Sequence, residues 1–268
     1  MKDRFSHELD QFERQGYAIF RDVLDDALVD ETRSHVDWLL EKNPELRPEQ
    51  LHHSLMTDDP FWVRLISDDR LLDIAEAFIG PNIALFASHY IAKPPLDGKA
   101  VLWHQDGSYW PLEPMDVVTL WLAVDRSDTE NGCLRVLPGT QTGPLFDEHE
   151  LEVVDDGTNV LGTGIRPENL ATEAAVDIVL NPGDLSVHHA NVIHGSDGNR
   201  SERWRRGLTI RYIPATTRIL TDEVWPCAFM LRGQPQAGVN KYRERPRYRR
   251  DVHMPFRGAD QWNKELAQ

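Results

Sequence analysis

The sequence predicts a mainly β fold, a barrel or sandwich with its helices flanking one side. Three observations predict it. The chain has 268 residues, enough for one large domain or two small ones with a sizeable core. Up to about residue 81 the apolar residues recur at helical spacing. From residue 82 the apolar runs become short, with Gly, Pro, Asn and Asp between them. The expected organisation is a single domain over 1–268. It has a mainly helical part at 1–81, a β core at 82–214 and an irregular basic extension at 215–268.

The elements follow in order. A short strand is expected at residues 17–20. Asp25 and Asp26 offer an N-cap for a helix over 27–42, which places Leu28, Val29, Val36, Leu39 and Leu40 near one face. A second amphipathic helix is expected over 70–78, ended by Gly80 and Pro81. Strands are expected in the apolar runs at 83–92, 117–124, 134–137, 176–180, 185–187 and 208–213. The connection at 140–175 holds Gly157, Gly162 and Gly164, yet no strand-turn-helix frame surrounds them to cradle a phosphate. An irregular, lid-like excursion over the barrel mouth is the expected form. The extension carries Arg232, Lys241, Arg243, Arg245, Arg247, Arg249 and Arg250, expected to pack on the acidic body of its own chain or of a second subunit.

Charge and composition exclude several functions. With 29 Lys and Arg against 44 Asp and Glu, the net charge is −15, which repels nucleic acid and anionic membranes. No apolar run approaches the roughly 20 residues that cross a bilayer. The first residues are charged throughout, so no secretory signal is expected. Cys133 and Cys227 are the only cysteines and make no disulfide framework, so a cytoplasmic location is expected. The expected partner is a small molecule, and a homo-oligomer is possible.

Two His-x-Asp triplets occur, His35-Val36-Asp37 and His104-Gln105-Asp106. With 11 His and 44 acidic residues, about two His-x-acid triplets arise by chance, so geometry must separate the cases. In the predicted helix His35 and Asp37 lie about 200° apart in rotation and cannot grip one ion. His104 and Asp106 follow an extended run, where residues two apart project to the same face. A third ligand with open positions makes the facial triad of non-haem iron oxygenases. Candidates lie in the run His188-His189-Ala190-Asn191-Val192-Ile193-His194. A regular strand would hold His188 and His194 roughly 20 Å apart, so both can bind one ion only if the chain bends. His194 is preferred because Arg205 follows it, leading into a strand that can return to the same pocket. There a guanidinium would grip a carboxylate cosubstrate with two parallel hydrogen bonds. His188 and His189 are expected to have structural roles, and His52, His53 and His149 to be solvated.

At these residues the sequence resembles the phytanoyl-CoA dioxygenase (PhyH) family of Fe(II)/2-oxoglutarate-dependent oxygenases. The likeness includes Phe12-Glu13-Arg14-Gln15-Gly16-Tyr17, Lys93-Pro94-Pro95, Trp103-His104-Gln105-Asp106 and the run from Asn131 through Pro138 to Thr140. It continues through Pro182-Gly183-Asp184, His194-Gly195-Ser196 and Arg205, covering roughly residues 10–215. The resemblance implies a double-stranded β-helix, the cupin-like jelly roll, with helices outside. It implies iron(II) held by His104, Asp106 and His194, and 2-oxoglutarate anchored by Arg205, with Ser196 and Trp121 close by. Arg206 competes with Arg205 for that role, and only one of two adjacent strand residues points inward. Dioxygen is the implied second cosubstrate, and succinate and CO2 are the implied products. Related halogenases carry a small residue in place of this Asp, so Asp106 implies hydroxylation. Tyr109, Trp110, Arg211 and Lys93 are the candidate substrate contacts. The family's range, from acyl-CoA to amino acids and phosphonates, implies a small organic substrate without naming one. Two other readings share the ligands: a non-catalytic sensor of 2-oxoglutarate or metal, and a zinc or manganese enzyme of another class, which leaves Arg205 without a role.

Overall fold

In the computed structural model of the chain, which describes residues 2–147, 149–154 and 156–267, most strands after residue 82 join two large antiparallel sheets. The helices are α1 (Ser6–Gln15), α2 (Asp26–Lys42), α3 (Pro60–Ile66), α4 (Asp69–Ile79) and α5 (Ala259–Glu265). The sheet strands are β1 (Tyr17–Phe20), β2 (Ile83–Tyr90), β3 (Val101–His104), β4 (Val118–Ala123), β5 (Leu134–Val136), β6 (Val176–Ile178), β7 (Leu185–His189), β8 (His194–Ser196), β9 (Gly207–Pro214) and β10 (Met230–Arg232). The major sheet runs β1-β7-β4-β9-β2-β10, with Leu51–His52 also pairing with β2, and the minor sheet runs β6-β5-β8-β3. This is the jelly-roll core with helices on one side.

Local chemistry explains the elements. The Asp25 side chain accepts from the Leu28 amide at the start of α2, and Asp68 accepts from Arg70 at the start of α4. Leu28, Val29, Val36 and Leu39 are buried on α2, as the periodicity predicts, and Leu40 is half-buried. The major sheet is covered on both faces, which is why β4 is buried throughout and apolar except at Thr119. Leu120 and Leu122 meet the core beneath the helices, alongside Leu28, Trp62, Leu71, Ile210 and Tyr212. Trp121 and Ala123 instead pack with Leu134, Val136 and Ile178 of the minor sheet. Each fully buried Leu, Val or Ile side chain among these contributes roughly 1.5–3 kcal/mol.

Two expectations are corrected. The excursion is not wholly irregular: Leu151–Val153 and Thr163–Ile165 form a small hairpin. A Cβ at Gly164 would lie 2.7 Å from the Leu102 Cβ, so that glycine is there for packing. The extension beyond residue 215 is also more ordered than expected, since β10 joins the major sheet and α5 docks Trp262 in the helix-side core. Arg232 pairs with Asp69, Asp73 and Glu76 of α4, and Arg243 with Asp58, so part of the basic tail rests on its own acidic body.

Candidate active site

β3 and β8 pair antiparallel with His104 opposite His194, and the two rings lie 4.1 Å apart. β3 ends at His104, but Gln105 stays extended (φ −118°, ψ 122°), so Asp106 shares the side of His104 although it opens a single 3-10 turn. One ligand atom from each of His104, Asp106 and His194 lies within 4.8 Å of the others. Each histidine donates Nδ1–H to the carbonyl two residues earlier, to Leu102 at 2.8 Å and to Val192 at 3.0 Å. That fixes the tautomer and leaves each Nε2 with the lone pair a metal needs. Asp106 Oδ2 is buried with no hydrogen-bond partner. Burial raises the Asp106 carboxyl, but Arg211, then His104 and His188, outweigh it and hold the group well below the usual carboxylate range. Burial, then the neighbouring His104 and His188, pushes His194 well below the ordinary histidine value. An ionised carboxylate and a neutral imidazole are the forms that bind metal, and this donor set fits a ferrous ion.

The structure also places residues that the sequence reading put elsewhere. His188 is not held far from His194: the rings are 4.6 Å apart, and His188 Nε2 lies 3.7 Å from Asp106 Oδ2. The strand is not regular across 188–194, because the chain leaves β7 and crosses to β8 in the other sheet. Both His188 ring nitrogens lack hydrogen-bond partners. His189 does serve the turn, its Nδ1 accepting from the Asn191 amide at 3.0 Å. Gln105 points away from the ligands and joins three segments. Its amide donates to Asn191 O at 2.8 Å and Pro144 O at 3.3 Å, and its Oε1 accepts from the Phe146 amide at 3.0 Å. His35 lies in α2, between Tyr90 Oη at 3.0 Å and Asp59 Oδ2 at 3.2 Å, away from the metal ligands. His52 is exposed as expected, whereas His53 is half-buried, and both line the cavity because Leu51–His52 pairs onto β2. His149 is exposed as expected.

Arg205 points inward and is buried, its guanidinium 5.2 Å from the Trp121 ring centroid. Nη1 donates to the Ile91 carbonyl at 3.1 Å, while Nε has no partner. Burial lowers its pKa to about 10, so it stays charged at neutral pH. Arg206 turns to the other side, stacks on Trp204 and faces Asp125 and Asp37. Lys93 is corrected as a substrate contact. It does not line the cavity but pairs its backbone with Arg205 and is fully buried behind Ser196. Its Nζ donates to Ser196 Oγ at 2.7 Å and to the Asp197 carbonyl. Burial, then Arg205, holds this amine well below the usual lysine range.

These groups face one cavity of about 360 Å³. Tyr109, Trp110, Trp121, Ser196 and Arg211 line it, as do Val160, Leu161 and Thr163 of the excursion. Tyr109 is 46% exposed and its hydroxyl lies 3.3 Å from Thr163 Oγ1, so it stands at the rim.

A jelly roll that brings two histidines and a carboxylate together beside a buried arginine defines the non-haem iron dioxygenases that use 2-oxoglutarate. Residues 12–207 match the phytanoyl-CoA dioxygenase (PhyH) family, and the chain belongs to it. The peroxisomal phytanoyl-CoA dioxygenase of Bos taurus is 29% identical over 239 residues, spanning 79% of this chain and 69% of that protein. The probable alpha-ketoglutarate-dependent hypophosphite dioxygenase of Stutzerimonas stutzeri is 31% identical over 164 residues, spanning 60% and 54%. Among solved structures, the apo non-haem monooxygenase ThoJ superposes with a TM-score of 0.75 at 19% identity, covering 96% of this chain and 94% of that one. The epimerase SnoN, solved with Fe3+ and alpha-ketoglutarate, gives 0.66 at 21% identity, covering 92% and 96%.

Proposed function

We propose that this chain hydroxylates a small organic substrate, with His104, Asp106 and His194 holding iron(II) and Arg205, Ser196 and Trp121 holding 2-oxoglutarate. The observation that carries this reading is the convergence of three ligand atoms within 4.8 Å at a cavity also lined by the buried Arg205, whose Nε has no partner. Iron(II), 2-oxoglutarate and dioxygen together supply the oxidative decarboxylation to succinate and CO2 and the oxygen placed on the substrate.

The protein's own groups do the positioning. Arg205 offers a planar fork to the far carboxylate of the cosubstrate, and stacking on Trp121 limits its rotation. Lys93 donates to Ser196 Oγ, which frees the serine O–H to donate to the same carboxylate. The cavity walls and the excursion keep water from the reacting centre. Tyr109, Trp110 and Arg211 form the substrate side. We also read 1–268 as one oxygenase domain, since residues of α2, the major sheet and α5 share one core. Free, buried thiols at Cys133 and Cys227, pushed up by burial to about 11 and about 12, agree with a reducing cytoplasm.

Anaerobic titration tests the assignment. The protein with iron(II) and 2-oxoglutarate should show the visible charge-transfer absorption of an iron–keto-acid chelate, and His104→Ala should abolish it. Absence of the band in the unaltered protein, with iron shown to be bound, would sink the proposal.

A further inference from the structure

The cavity wall beside Asp106 carries a second cation whose hydrogen-bonding capacity is almost unused. Arg211 lies on β9 with its side chain 14% exposed. Its Nη1 donates to Thr209 Oγ1 at 3.1 Å, and that hydroxyl donates in turn to the His89 carbonyl at 3.1 Å. Nε is buried without a partner. Nη2 stands 3.5 Å from Asp106 Oδ1, longer than the about 2.7–2.9 Å of a charge-assisted hydrogen bond. The guanidinium also lies 5.0 Å from the Trp110 ring centroid. Its Nε–Nη2 edge, a fork that matches a carboxylate, is therefore held in place and not hydrogen-bonded.

Charge leads to the same place. Among the described residues lining the cavity, Asp106 is the one carboxylate, against the two guanidiniums of Arg205 and Arg211. A ferrous ion and a 2-oxoglutarate dianion cancel each other. One positive charge remains in a site walled by aromatic rings. Phe86 stacks on Trp225 at 5.3 Å and meets Trp110 edge-on at 5.6 Å. His53 and His89, each lowered to about 4 chiefly by burial, are neutral and add no charge.

We propose that the substrate is a small organic monocarboxylate with an apolar body, its carboxylate held by Arg211 and its body against Phe86, Trp110 and Trp225. The inference rests on the iron and 2-oxoglutarate reading above. A carboxylate carries the single charge that the site leaves uncompensated. A phosphonate dianion exceeds it, and the acyl end of a thioester has no charge to offer Arg211.

Calorimetry on the anaerobic protein with iron(II) and saturating 2-oxoglutarate tests this, because Arg205 is then occupied and added carboxylates report on Arg211. The probes are octanoate and 3-phenylpropanoate, each against its neutral amide. Each acid should bind at least about tenfold tighter than its amide. Arg211→Gln should remove that preference, and Arg211→Lys should keep part of it. Equal binding of acid and amide, no binding of either acid, or a preference that survives Arg211→Gln overturns the proposal. If Arg211→Gln does not fold, Arg211→Lys decides: a preference unchanged from the parent overturns it, and a reduced one supports it. The visible chelate band is read in the same samples. A missing band with the acid preference intact overturns the cosubstrate reading and leaves the carboxylate subsite standing.

Discussion

Arg205 and Arg206 are adjacent, carry the same charge and meet opposite surroundings, so the site turns on single-residue parity. Arg205 lies against Trp121 in the cavity, whereas Arg206 stacks on Trp204 and faces Asp125. Arg205→Lys should weaken 2-oxoglutarate binding about tenfold or more, since an ammonium cannot reproduce the bidentate fork. Arg206→Lys should change it by less than about twofold, as expected for a pair held by a weak 3.5 Å contact. Anaerobic titration of 2-oxoglutarate into each variant reads the difference, and the reverse order would show that the strand parity is misassigned. At this scale the convergence of His104, Asp106 and His194 and the inward turn of Arg205 were legible in sequence, because two-residue spacing in an extended segment carries orientation. His188 was not legible. Its place beside Asp106 depends on the chain turning from one sheet into the other, and no local spacing encodes that corner.

Among elements, β4 and β9 show why a glycine stands where a strand would otherwise hold a side chain. Trp121 of β4 is in register with Thr209 of β9, and Gly207 lies beneath its ring. A Cβ at Gly207 would fall 2.2 Å from Trp121 Cζ2, so Gly207→Ala must displace the indole that backs Arg205. That variant should lose about 1–3 kcal/mol of stability by overpacking. It should also lose 2-oxoglutarate affinity, whereas a merely structural cost would lower the melting temperature alone. Chemical denaturation and cosubstrate titration on the same sample separate the two outcomes. The capped helices α2 and α4 and the longer strands were readable because each carries several periods of its pattern. The three-residue β10 and seven-residue α5 carry too few for periodicity to register, and tertiary packing defines them. Gln105 was likewise unreadable, since its partners at residues 144, 146 and 191 are brought to it by the fold.

Over the whole molecule, the surplus of acid is partly answered by its own basic tail, through Arg232 on α4 and Arg243 on Asp58. Among the described residues no helix is long and apolar enough to cross a membrane. A pH dependence of stability follows instead from half-buried imidazoles held without charge. His53 and His89 have folded-state values of about 4, lowered chiefly by burial from an ordinary value of 6.5. Between those values the unfolded chain binds a proton at each position and the folded chain does not. Protonation therefore favours unfolding as pH falls from about 6.5 towards about 4, by about 1.4 kcal/mol per pH unit for each group. Asp59 adds a later loss. Burial raises its carboxyl, but His35 and the Trp62 amide outweigh this and leave it below 3.8, so its contribution persists above 3.8 and disappears as pH falls through the lower folded value. Urea unfolding at pH 7, 6 and 5 should show stability falling from about pH 6.5 downward, well before ordinary carboxylates titrate. Replacing His53 or His89 by Gln should reduce the slope by about one proton each. A stability that stays level from pH 7 to pH 5 would mean that these rings remain solvated and that the cavity wall beside Arg211 is open to water.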